Sequence, residues 1–175
     1  MTSRVDVSAS SGVDPRTAEL SRLYQEGLVA GVVGAAVIAV WFLILDTLAG
    51  HPLYTPTVLG TALFRHGAGL ENPETIAVSF DMVVVFTWVH VLVFGVIGGL
   101  ASHLLAFAER RPNFGFGVVL FFVIFEFGFV TLCMVFAQDV LHALTWGKVL
   151  IGNVLAAAAM AAYLWQRHPN LRIEP

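Results

Sequence analysis

The chain has 175 residues, enough for one domain, and 58% of them are hydrophobic while only 12% are charged. A water-soluble fold of that size needs far more charge on its surface, so the composition excludes an ordinary soluble domain and points to lipid. A net charge of −3 with no basic block gives no basis for nucleic acid as a partner, and a single cysteine, Cys133, excludes an intrachain disulfide framework.

Residues 1–27 form a polar tail, with Ser8, Ser10, Ser11, Gly12 and Pro15 early in it. The tail has no apolar signal-peptide core, so the first hydrophobic run is expected to be a retained span. Asp14 followed by Pro15 reads as a cap and first helical residue, opening a short amphipathic helix through Tyr24.

Four apolar runs follow, at 28–48, 82–107, 114–140 and 149–165. Each is close to the roughly 20 residues that a helix needs to cross hydrocarbon. Backbone polar groups in lipid must be satisfied internally, and unbroken apolar stretches such as 83–86 and 121–125 lack the alternation of a β-barrel strand, so these runs are read as helices. The expected fold is all-α: an integral membrane four-helix bundle occupying 28–166, followed by a short tail at 167–175.

The longest connection, 51–80, carries two helix-start signals, Thr55-Pro56 and Asn72-Pro73-Glu74, and a stop signal at Gly67. A short helix on the outer surface is expected there, and the second signal is read as leading into span two. Arg4, Arg16, Arg22, Arg110, Arg111, Arg167 and Arg172 fall on one side of the four-span topology, with Arg65 and Lys148 on the other. The positive-inside rule then places both termini in the cytoplasm. The expected location is a plasma membrane, the inner membrane in a bacterium, with Trp146, Tyr163 and Trp165 near span ends at the interface.

Small residues recur at four-residue spacing: Gly27, Gly31, Ala35 and Ala39 in span one, Gly95 with Gly99 and Gly98 with Ser102 in span two, and Gly152 with Ala156 in span four. Such stripes let helix backbones approach closely. Their first use is packing within the bundle; a homo-oligomer or a docking face for other membrane subunits is the alternative.

Ionisable groups inside spans are functional suspects because lipid makes them costly. Counting depth along antiparallel spans two and three brings His90 and Glu126 within one or two helical turns, a candidate buried pair for proton transfer, with Trp88 nearby. Asp46, His51, Asp81, Asp139 and His142 form a shallower outer group, whose carboxylates and imidazoles suit a transition metal. A b-type haem would need two facing histidines. His90 and His103 are rotated by about 220° on one helix, which leaves His90 with His142, up to about 15 Å apart in depth.

No nucleophile elbow, zinc-protease motif, P-loop or dinucleotide fingerprint is present, so no catalytic residue is assigned. Cys133 lies two helical turns from Glu126 within an apolar run, where a thiol is inert. The leading functional expectation is a non-catalytic subunit of a larger membrane complex, redox or proton-handling. The alternatives are a self-contained metal- or haem-binding redox bundle and a small proton-coupled transporter.

Overall fold

The computed structural model describes residues 15–66, 72, 76–110 and 145–168. They form four helices: α1 (Pro15–Leu48), α2 (Tyr54–Phe64), α3 (Phe80–Arg110) and α4 (Trp146–Arg167). No strand occurs among the described residues. Three helical stretches, Thr17–Leu48, Phe80–Ala108 and Trp146–Arg167, are long and apolar enough to cross a membrane. The run at 114–140 lies outside the described residues.

Helix α1 is the axis of the assembly, packing against both α3 and α4. It begins at Pro15 and continues for 34 residues, about 50 Å at 1.5 Å per residue. The amphipathic segment expected through Tyr24 is therefore the first part of span one's own helix. Gly27, the only breaker between the two, is compatible with continuity because its missing side chain is what α3 packs against.

A Cβ on Gly27 would fall 2.6 Å from Ser102 Oγ and 2.7 Å from the carbonyl oxygen of Gly98. One at Gly31 would overlap the Phe94 carbonyl, and one at Gly98 would overlap the Gly27 carbonyl. Gly27, Gly31 and Ala35 are buried, while Ala39 is exposed beyond the crossing. On α3 Gly98 and Ser102 point into the contact, and the Cα atoms of Gly95 and Gly99 border it, 2.9 Å from a Cβ on Gly31 and 2.7 Å from one on Gly27. A Cβ of their own would meet only the tip of Leu28 or open space.

Helix α4 uses the neighbouring face of α1, and Gly34 meets both Met160 of α4 and Phe94 of α3. Gly152 sits beneath the Trp41 ring, Ala156 is buried, and Met160 and Leu164 close over Ala30 together with Phe94, Ile97, Ala101 and Leu105 of α3. Trp41 Nε1–H donates to the Lys148 carbonyl at 3.0 Å, tying the later part of α1 to the first turn of α4.

Both partners run against α1. Along α3, Ser102 lies at the level of Leu23 and His90 at that of Ala35; along α4, His168 lies beside Glu26 and Lys148 beside Trp41. Helices α3 and α4 are consequently parallel to each other.

The turn after α1 accounts for its last polar groups. Gly50, at φ +82°, donates its N–H to the Thr47 carbonyl, and His51 donates to the Asp46 carbonyl, the paired bonds of a Schellman ending. Helix α2 then starts at Tyr54, after Leu53 in the left-handed region at φ 66°. Thr55-Pro56 does lie in its first turn, but Thr55 is a donor there and Pro56 falls where a missing N–H costs nothing. The helix ends at Phe64, with the Arg65 N–H bonded to the Thr61 carbonyl. The stop expected at Gly67 lies outside the described residues.

Helix α2 packs on the start of α3, with Gly60 against the Met82 carbonyl and Val58 fully buried. Residues 76–79 are not helical and α3 begins at Phe80, so the Asn72-Pro73-Glu74 signal does not lead straight into it.

Candidate functional site

Polar side chains gather at three levels of the bundle. At the α2 end, Asp46 is only 6% exposed and is held by the backbone. Its Oδ2 accepts the Thr55 N–H at 2.7 Å and its Oδ1 accepts the Thr55 hydroxyl, also at 2.7 Å. Leu53, the residue in the cap position of α2, has no side-chain oxygen to offer the first turn. Asp46 supplies that acceptor from the helix before, and its negative charge faces the positive end of the α2 dipole. The last turn of α1 thereby fixes the first turn of α2.

The hydroxyls of α2 extend this seam. Thr57 is 1% exposed and donates to the Leu53 carbonyl at 2.8 Å, and its oxygen lies 3.4 Å from the Ser79 N–H just before α3. His51 and Asp81 of the expected outer metal group are both exposed. Asp81 stands in the first turn of α3, where a carboxylate favours the helix dipole. No three His, Cys, Asp or Glu residues group together among the described residues. Asp139 and His142 lie outside them.

At mid-height, His90 points from α3 to α1. Its Nε2 is 3.2 Å from the Ala35 carbonyl oxygen, so Nε2 carries the proton that donates to it. The neutral ring then has Nδ1 as its acceptor. Phe86 stacks on one side at 5.6 Å between centroids, and Phe94 tilts against it at 4.7 Å. Ala35 leaves room for this approach because it carries only a methyl group on the buried side of α1. With Nε2 on Ala35, iron ligation through that nitrogen would require the ring to turn away. Glu126, the expected partner of His90, and His142, its expected haem partner, are outside the described residues.

At the other end of the bundle, Ser102 is completely buried and donates its hydroxyl toward the Leu23 carbonyl at 2.9 Å, with the Gly99 carbonyl also in reach at 3.0 Å. His103 Nδ1 contacts the Gly99 carbonyl at 3.0 Å and its ring meets Tyr24 at 5.0 Å. Beside them Glu26 is 6% exposed. Its Oε1 accepts from Arg22 Nε at 2.8 Å, one helical turn earlier, and its Oε2 faces His168 Nε2 at 3.3 Å. His168 closes α4, and its own backbone N–H is bonded to the Leu164 carbonyl.

This last cluster was not anticipated from the sequence. Glu26 precedes the apolar run and His168 follows the last one, so neither qualifies as an intramembrane charge. The available signal was the i, i+4 spacing of Arg22 and Glu26 directly before the close-packing Gly27.

No protein-family model, curated protein or solved structure matches the chain.

Proposed function

We propose that the protein is a four-crossing membrane subunit, with both termini on the cytoplasmic side, that works by association within a larger membrane complex and carries no catalysis of its own. The observation that carries this reading is the use made of its intramembrane polar groups. Asp46 caps α2, His90 and Ser102 bond to backbone carbonyls of α1, and His103 bonds to a carbonyl of its own helix. The contacts of Asp46, His90 and Ser102 fix one element against another, and that of His103 stays within α3.

The crossing number draws support from helix direction. Helix α3 ends beyond the level of Leu23, and α4 begins near the level of Trp41. These levels are eighteen residues apart on α1, about 27 Å of helix rise. The connection at 111–144 must cover that distance from one end of the bundle to the other, and it contains the third apolar run, 114–140. The described basic side chains divide evenly, with Arg22 and Arg167 at one end and Arg65 and Lys148 at the other. The asymmetry that the positive-inside rule converts to orientation comes from Arg4, Arg16, Arg110, Arg111 and Arg172, which four crossings add to the first end.

Large apolar side chains cover the outer faces, among them Phe80, Trp88 and Leu92 on α3 at 72%, 74% and 65% exposure. Such a surface suits lipid and other membrane helices alike. The test is purification of the tagged full chain from its native membrane in a mild detergent, followed by cross-linking mass spectrometry and absorption and metal analysis. The reading predicts stoichiometric co-purifying membrane proteins. A monodisperse isolated chain carrying a bound metal or a haem absorption band would replace it with the self-contained redox bundle.

A further inference from the structure

The seam between α1 and α4 changes character along its length. At the end where α1 begins and α4 finishes, it opens into a cleft of about 280 Å³ lined by Arg22, Gln25, Glu26, Val29, Tyr163 and Arg167. Two guanidinium groups meet one carboxylate there, and that carboxylate is turned inward, between Arg22 Nε and His168. The Arg167 guanidinium stands 5.5 Å from the centre of the Tyr163 ring, which holds its charge at the rim.

Farther along the same seam lies a second groove of about 370 Å³, lined by Ala36, Val37, Val40, Trp41, Ile44 and Leu155 and almost wholly apolar. Their α1 residues share one helix face. Arg22, Glu26, Val29, Ala36 and Val40 recur at intervals of four, three, seven and four residues, the spacing of a single α1 face. The rise from Val29 to Val40 is about 16 Å, close to the roughly 15 Å that one leaflet contributes to the hydrocarbon core.

A basic cleft at one end of a helix face whose apolar residues, Val29 to Val40, run about one leaflet deep has the polarity profile of a phospholipid. We propose that the α1–α4 seam binds one anionic phospholipid, its phosphate in the cleft between Arg22 and Arg167 and an acyl chain along Val29, Ala36 and Val40. Arginine matches phosphate through paired N–H donors, and basic pockets between membrane helices are suited to anionic headgroups. The proposal rests on the membrane reading but not on association with other subunits or on which compartment the cleft faces.

The test uses the purified full chain in non-ionic detergent, with lipid retention read by native mass spectrometry. The probes are phosphatidylglycerol, phosphatidylcholine of the same chain length, and water-soluble glycerol phosphate. Phosphatidylglycerol should be retained one-to-one and in preference to phosphatidylcholine. Arg167→Gln should lower that retention about fivefold, the worth of one basic residue near a charged surface, whereas Arg167→Lys should keep most of it. Arg167 is exposed, so both variants should keep the wild-type circular dichroism. Equal retention of the two lipids, or no response to Arg167→Gln in a folded variant, would overturn the proposal. Glycerol phosphate retained as strongly as the lipid would also overturn it, assigning the cleft to a soluble anion. A seam covered by another helix would retain no lipid at all, and that result would overturn the proposal as well.

Discussion

Gly31 of α1 lies so close to the Phe94 carbonyl of α3 that a side chain at position 31 and that oxygen would compete for the same space. Two positions along, Val33 is half-buried, and immediately beside Gly31, Val32 is 47% exposed. The α1–α3 crossing therefore depends on absent β-carbons, at Gly31 as at Gly27 and Gly98. Gly31→Leu should separate α1 from α3 and cost about 2–3 kcal/mol, the upper range for overpacking a tight contact. Val32→Leu adds a methylene to an outward-facing aliphatic residue and should cost less than about 0.5 kcal/mol. Thermal unfolding in detergent compares the two, and equal effects would mean that the Gly31 face is not a packing face.

The bond between Asp46 and Thr55 gives a second test. Asp46→Ala removes both acceptors from the first turn of α2 and strands a buried N–H, for an expected cost of about 1.5–3 kcal/mol. Thr55→Val keeps the backbone donor and loses only the hydroxyl, so about 1 kcal/mol is expected. A metal-ligand role for Asp46 would reverse the pattern, leaving apo stability untouched by Asp46→Ala while lowering metal affinity. Amide exchange of the α2 backbone, faster in Asp46→Ala than in Thr55→Val, checks the capping account directly.

Where the sequence was informative, it was so through long-range composition. Hydropathy alone located the three apolar helices that the described residues contain, because a crossing of hydrocarbon imposes a length and forbids charge. The four-residue rows at Gly27–Gly31 and Gly152–Ala156 were legible as contact faces for the same reason that they pack: only small residues admit a second backbone. What each polar group does was not legible. Asp46 reads as a metal candidate until the Schellman turn at Gly50 and the left-handed Leu53 swing Thr55 back onto it, a fold-back that no side-chain chemistry announces. His90 invites a search for a titratable partner, whereas its bond to α1 goes to a main-chain carbonyl exposed by the small size of Ala35. Glu26 and His168 are 142 positions apart, and only the antiparallel run of α4 brings them together.

That pairing yields a third prediction. Arg22 is largely exposed, with its side chain 69% accessible, so Arg22→Ala should change stability by less than about 0.5 kcal/mol. Glu26 and His168 face each other with side chains only 8% and 9% accessible. Glu26→Gln and His168→Ala should each destabilise the protein, and the double variant should lose less than the sum by about 0.5–1.5 kcal/mol. Strict additivity in that cycle would show that the end of α4 is not latched to α1 through these groups.

For His90, the interhelical bond to Ala35 sets the scale. Hydrogen bonds between membrane helices average about 0.6 kcal/mol with a maximum near 1.7, so His90→Phe, which keeps ring contacts with Phe86 and Phe94, should fall in that range. His90→Ala should cost more, since it also empties the space between those rings. The pairing of His90 with Glu126 expected from the sequence predicts that Glu126→Gln and His90→Ala combine to less than their sum. Additive losses would leave Ala35 as the partner that fixes His90.

The most direct measurement is topology mapping with compartment-specific reporters, because the proposed subunit is a chain that crosses the membrane four times. Reporters ahead of Pro15, inserted near Gly69, inserted at Arg111, inserted at Thr145 and fused after Pro175 should read cytoplasmic, external, cytoplasmic, external and cytoplasmic in turn. The parallel course of α3 and α4 requires the insertions at Arg111 and Thr145 to report opposite sides. The same compartment at those two positions, or at Gly69 and Pro175, would contradict the four-crossing account.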